Sequence, residues 1–295
     1  MFKCQQNLNT GDRTCITMTK LLLETMTIGE VPLLTIAPAT ALHCPVVFFI
    51  PGYGGVKTDG LRLGYQVAQQ GCFFVSIDPW LHGERYDARR DHAADPAYGG
   101  IYPPETRLDT GLLFFQVIQR CLADVTLLID HFRADERCDV TRCGVTGLSM
   151  GGCASFLIFA NLPQVLAAVP MIGIPTFTRR WIDLLDECRF SDPSWAAALT
   201  RVQTKTAQHT AFIRQLDPAE KLENAAPRAL LIMNNDFDHD QPKHFAIDCY
   251  RRLLPAYATH PDQLQLKIYP AGHTVTPAME QDAVAWFAQQ LLPKV

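Results

Sequence analysis

No run in this chain of 295 residues approaches the roughly 18 to 20 uninterrupted apolar residues a membrane span requires. Near the start, polar residues give way to Leu21-Leu22-Leu23, which Glu24 breaks at once, so no apolar core of the signal-peptide kind precedes a small-residue cleavage site. A basic run is missing too. Lys and Arg number 26 against 30 Asp and Glu, for a net charge of −4, and the pairs Arg89-Arg90, Arg179-Arg180 and Arg251-Arg252 have acids close by. That balance excludes a groove for nucleic acid. The ten cysteines contain no Cys-x-x-Cys pair and several sit in apolar runs, as Cys72 does before Phe73-Phe74-Val75. They read as buried reduced thiols rather than disulfides or metal ligands. Internal repeats and low-complexity tracts are also lacking. What remains is a soluble, cytoplasmic globular protein with neither nucleic acid nor membrane among its partners.

Hydrophobic residues make up 48% of the chain, enough to build the core of one large α/β domain, with or without an insertion. From Pro45 onward, short apolar runs alternate with amphipathic stretches. Pro45–Ile50, Cys72–Ile77, Arg142–Gly147, Val165–Met171, Ala229–Met233 and Leu264–Tyr269 have the length and the β-branched and aromatic content of strands. Helical patterns cover Asp59–Gln70, 109–132, Met150–Asn161, Pro242–Leu254 and Thr276–Leu292. The alternation predicts an α/β fold: a mostly parallel central sheet with helices on both faces. The stretch 174–226 breaks the rhythm between two strands. It is helical in character, carries Phe177, Trp181, Phe190, Trp195 and Phe212, and reads as a cap whose aromatics chiefly form its own small core. Residues 1–29 read as a poorly structured extension ahead of a domain over 30–295, with Met18 or Met26 as alternative starts.

The chemistry concentrates in Gly147-Leu148-Ser149-Met150-Gly151, which fits Gly-x-Ser-x-Gly. Glycine and serine are common, so the pattern counts because of where it stands, at the end of a strand and the start of a helix. A serine raised on so sharp a turn needs neighbours almost without side chains. It also needs a base to take its proton. His273, in Tyr269-Pro-Ala-Gly-His273, follows the last strand and so projects from the same sheet edge; His239 and His244 are its rivals. An acid should orient that base, and three aspartates follow the strand Ala229–Met233. Asp238 has the expected spacing, Asp236 comes second and Asp240 third. Three clustered carboxylates could instead hold a divalent cation, but no second acidic loop supports a metal. The tetrahedral oxyanion needs two backbone N–H donors, which the spacing assigns to Met150 and, from the loop Pro51-Gly52-Tyr53-Gly54-Gly55, to Tyr53.

These residues resemble the α/β-hydrolase superfamily from about Val31 to Leu292, and more narrowly bacterial carboxylesterases of the dienelactone-hydrolase and prolyl-oligopeptidase-like branch. The resemblance rests on PVVFFIPGYGG, GCFFVSIDPWLHGERY, GLSMGG, NNDFDHDQP and AGHTVTP. It implies hydrolysis of a small-molecule ester of short acyl length through an acyl-enzyme, without a cofactor, and is compatible with a homodimer. It also implies that Asp78-x-x-x-His82-Gly83-x-Arg85 shapes the site entrance rather than doing chemistry. Three positions depart from the branch. Pro51-Gly52 stands where His-Gly is usual and Asn235 where Gly is usual before the acid. Ser149 stands where dienelactone hydrolases proper carry cysteine. A peptidase or an acyltransferase would use the same residues, and a binding protein could keep them without turnover. A peptidase of this branch carries a large domain ahead of the hydrolase, whereas about 44 residues precede the first expected strand here.

Overall fold

The apolar runs of the sequence become the interior strands of one sheet. A computed structural model describes residues 20–87, 104–191 and 203–293. In chain order the strands are β1 (Leu21–Ile28), β2 (Val31–Pro38), β3 (Cys44–Ile50), β4 (Phe73–Ile77), β5 (Cys138–Leu148), β6 (Val165–Met171), β7 (Ala229–Asn235) and β8 (Leu264–Tyr269). The helices are α1 (Leu61–Gln69), α2 (Pro104–Phe132), α3 (Met150–Asn161), α4 (Phe177–Ser191), α5 (Gln203–Leu216), α6 (Lys243–Leu253) and α7 (Pro277–Leu291). Spatial order is β1-β2-β4-β3-β5-β6-β7-β8. The β1–β2 and β2–β4 pairs are antiparallel and every later pair is parallel.

Every residue of β3, β4 and β7 is buried, as expected for parallel strands covered on both faces. Their side chains alternate between two apolar layers. Val46, Phe48 and Ile50 join the layer shared with α2, α3 and α6. Val47 and Phe49 join the layer under α1 and α7, where Leu63, Val67, Trp286 and Phe287 pack. The helices α4 and α5 lie between β6 and β7, within the stretch whose rhythm breaks in the sequence. Phe177 and Trp181 of α4 belong to the main core, and Trp195 falls outside the described residues.

Two expectations need correction. Residues 20–29 are not a loose extension: Leu21–Ile28 is a strand paired over its whole length with Val31–Pro38, so the sheet begins well before Pro45. The signal was weak for a physical reason. As the edge strand, β1 leaves most of its side chains exposed and breaks its short run Leu21-Leu22-Leu23 at Glu24, while Pro32 and Pro38 disguise the buried β2. Residues 1–19 lie outside the described part. Secondly, Asp109–Phe132 is long and apolar enough, by length and composition, to cross a membrane. Here its apolar side faces the sheet, with Val117, Ile118, Cys121, Val125 and Leu128 all fully buried. Cys44, Cys72, Cys121, Cys138, Cys143, Cys153 and Cys249 are free buried thiols, and burial pushes those of Cys72, Cys143, Cys153 and Cys249 up to about 12.

Candidate active site

The strand β5 ends at Leu148 and α3 begins at Met150, leaving Ser149 alone on the turn with φ 56° and ψ −109°. A non-glycine residue in that region is strained and persists only where its surroundings fix it. They do so here by close approach. A Cβ at position 147 would lie 2.5 Å from the Ile50 carbonyl oxygen, and one at position 151 only 1.9 Å from the same atom. The Ser149 N–H donates to the Met171 carbonyl at 3.0 Å, tying the turn to β6. Behind the serine, α3 directs its N-terminus at the hydroxyl, where a developing anion is favoured.

His273 stands in the loop between β8 and α7. Its Nε2 is 3.0 Å from Ser149 Oγ and its Nδ1 is 2.9 Å from Asp238 Oδ2. The Asp238 side chain is 0% exposed. Its other oxygen accepts the N–H groups of Asp240 and Gln241, each at 2.9 Å, so the carboxylate is fixed and aimed. The two alternatives stand apart: Asp236 is 41% exposed and paired with Lys243, and Asp240 is 75% exposed, its nearest oxygen 4.0 Å from Nδ1. His239 and His244 are exposed, and the ring of His244 stacks on Phe245. Asp238, Asp240 and His273 offer atoms within 4.8 Å of one another, but the imidazole is already shared between Ser149 and Asp238.

The loop after β3 closes as a turn, with the Gly55 N–H on the Gly52 carbonyl at 2.9 Å. It lies against the elbow, since a Cβ on Gly52 would sit 3.5 Å from the Leu148 carbonyl oxygen. Tyr53 is in this loop, its ring edge-on to His82 at 5.2 Å and near Phe114 at 6.0 Å. Met150 opens α3, so its N–H is one of those the helix itself cannot pair.

The architecture has many relatives. YitV of Bacillus subtilis (strain 168), named provisionally as an esterase, is 23% identical over 272 residues, covering 91% of this chain and 99% of that protein. The structure of TT1662 from Thermus thermophilus superposes with a TM-score of 0.65 at 18% identity, over 93% of this chain and 100% of that one. Acetyl xylan esterase 1 from Thermoanaerobacterium sp. JW/SL YS485 does so with a TM-score of 0.58 at 19% identity, over 93% and 89%. The chain has the α/β-hydrolase fold. No protein-family model matches it.

Two features of the site have no signal of their function in the sequence. The first is Asn235, the last residue of β7, which is fully buried. Its Nδ2 donates to the Gly272 carbonyl at 2.5 Å and to the Thr274 carbonyl at 2.7 Å, so it grips the backbone on both sides of His273. The Asp236 and Phe237 N–H groups donate to Tyr269 and Ala271, so the loops of Asp238 and His273 are bound together. The second is Lys57, whose ammonium is buried against Asp78 at 2.7 Å and Glu84 at 2.5 Å. Burial works to lower its pKa, but the hydrogen bonds to Asp78 and Glu84 outweigh that and raise it. Within the His82-Gly83-Glu84-Arg85 stretch, Arg85 pairs with the buried Asp124 at 2.5 Å. A lysine two residues past a glycine turn gives no signal in sequence, because only the fold brings it to Asp78.

Proposed function

We propose that this α/β-hydrolase cleaves carboxylic esters through an acyl-enzyme, with Ser149 as nucleophile, His273 as base and Asp238 as the acid that orients it. The observation that carries the reading is the unbroken relay from Ser149 Oγ through His273 to the buried Asp238, mounted on a strained strand-to-helix turn. The esterase named among the solved structures and the provisionally named one of Bacillus subtilis support ester as the bond.

Each step follows from the placement of these groups. Ser149 Oγ attacks the ester carbonyl carbon while its proton passes to His273 Nε2. The carbonyl oxygen becomes an oxyanion, held by the N–H groups of Met150 and Tyr53. His273 then gives its proton to the departing alkoxide oxygen, and the acyl group stays on Ser149. Water repeats the sequence, losing its proton to His273 and releasing the acid. Asp238 Oδ2 accepts from Nδ1, which leaves Nε2 free to act as base and stabilises the imidazolium between steps. Each oxyanion donor contributes about 2.7–4 kcal/mol of transition-state stabilisation. No cofactor enters the scheme.

Hydrolysis of p-nitrophenyl acetate, butyrate and octanoate tests it. Ser149→Ala is expected to lower kcat by at least about 10³-fold. Asp238→Asn should cost about 10³- to 10⁴-fold, whereas Asp236→Asn stays within a few-fold of wild type. Equal loss in the two aspartate variants would overturn the assignment of the acid. If folded wild-type protein neither turned over esters nor reacted with a fluorophosphonate at Ser149, the hydrolase reading itself would fail and a binding role would replace it.

A further inference from the structure

Near the relay lies a partly open cavity of about 190 Å³. Its apolar wall is mostly aromatic: Phe114 and Phe115 of α2 meet Phe177 and Trp181 of α4, with Ile174, Leu184 and Cys153 beside them, while Arg180, Asp240 and Gln241 supply the polar part. Three contacts link its lining to the relay. Cys153 is one helical turn beyond Ser149, and its N–H donates to the Ser149 carbonyl at 2.9 Å. Asp240 and Gln241 line the cavity while their N–H groups hold Asp238. Phe114 stacks near Tyr53, and through Phe115 the ring contacts continue to Phe177. The cavity is thus bounded by the elbow helix, the loop carrying Asp238 and, through Phe114, a ring that neighbours Tyr53.

We infer that this cavity holds the acyl half of the ester, and that it takes an apolar acyl group of about six to eight carbons. The inference rests on the esterase reading and adds to it the substrate class. Polarity decides the chemistry. The Trp181 indole N–H is tied to Thr210 at 2.9 Å, and Arg180, on the lining, is paired with Glu187 at 3.1 Å, so neither asks for an acidic ligand. Size decides the length, because an apolar protein cavity of about 150 Å³ accepts a six-carbon ring. Position decides which half of the ester enters. The alcohol must leave before water can attack, so it belongs on the open side of His273, whose side chain is partly exposed. The acyl group remains on Ser149 and is assigned to the cavity.

Gly111 sets the volume. It lies on the lining, and a Cβ there would come within 2.9 Å of Trp181 and 3.1 Å of Leu184. Any side chain at 111 must therefore displace the aromatic wall or fill the space. Leu184 lines the same cavity from α4 and is only half-buried, so shortening it enlarges the pocket with little risk to the core.

The experiment is a chain-length series of p-nitrophenyl esters from acetate to dodecanoate with wild type, Gly111→Leu and Leu184→Ala. For wild type, kcat/KM should rise up to about fourfold per added methylene, level off between hexanoate and octanoate, and fall by dodecanoate. Gly111→Leu should cut the hexanoate-to-acetate ratio of kcat/KM at least about tenfold, and Leu184→Ala should move the optimum to a longer chain. A flat or falling wild-type profile, with acetate still turned over and lost in Ser149→Ala, would sink the pocket assignment and leave the esterase reading intact. So would a series of alkyl acetates in which rate follows alcohol length instead. Should Gly111→Leu fail to fold, an unmoved optimum in Leu184→Ala would be sufficient to reject the inference. Absence of wild-type turnover on every ester would reject both readings together.

Discussion

At the scale of single residues, the site depends on backbone placement as much as on reactive atoms. The hydroxyl of Ser149 is useful only because positions 147 and 151 lack a Cβ, so the turn can press against the Ile50 carbonyl. Asn235 plays a comparable part for the base. Its side-chain amide bridges the carbonyls on both sides of His273 and is thereby a positioning residue. Replacing it frees a loop whose imidazole must keep 2.9 Å and 3.0 Å contacts at once. A misplacement near 1 Å costs about 10²-fold in rate. Asn235→Ala is therefore expected to lower kcat by about ten- to a hundredfold with KM nearly unchanged, measured on a p-nitrophenyl ester alongside thermal denaturation. A rise in KM with kcat unchanged, or a loss that merely follows the fall in Tm, would assign Asn235 to packing instead. In sequence this residue is visible only as an unusual neighbour of the acid, since its partners lie 37 and 39 residues away.

At the scale of elements, the interior strands were legible because burial on both faces demands continuous apolar runs. The edge was not. Strand β1 has few apolar demands to meet and is held by its ladder to β2, with Glu24 bridged to Arg137 at 2.6 Å. A chain beginning at Met26 would lose the pairs from Leu21↔Pro38 to Thr25↔Leu34 and expose a long apolar stretch of β2. Its Tm should fall by at least about 5 °C and its solubility should drop, whereas a chain beginning at Met18 keeps β1 whole and should match the full chain. Equal melting curves for the two would show that β1 contributes little. Helix α2 carries the converse lesson. Its composition alone would suit a membrane, and only its packing against the sheet shows where the apolar side goes.

At the scale of the whole molecule, the loops that carry the site all leave the same edge of the sheet, and a buried polar network ties two of them together. Asp78 receives the Lys57 N–H at 2.7 Å, the Lys57 ammonium at 2.7 Å and the Glu84 N–H at 3.1 Å, joining the chain after β3 to the chain after β4. With the two side chains only 11% and 1% exposed, removing Asp78 leaves the buried Lys57 ammonium with the more exposed Glu84 as its remaining partner and strips the Lys57 and Glu84 N–H groups of their acceptor. Such a loss costs about 3–5 kcal/mol. Asp78→Ala should show a loss of that size in denaturant unfolding, and a loss below about 1 kcal/mol would mean that Glu84 or water takes over the Lys57 ammonium.

The sequence by itself determined the alternation of strands and helices, the glycine-flanked serine and the histidine after the last strand, because those features are local: periodicity, spacing and steric room are written in neighbouring residues. Of three aspartates within five positions it could rank but not choose. Only the tertiary structure separates them, burying the Asp238 carboxylate against His273 and turning Asp236 out to Lys243. The grip of Asn235, the Lys57–Asp78 pair and the aromatic cavity belong to the same class. Each joins residues far apart in the chain, and such contacts exist only once the sheet has brought its loops to one edge.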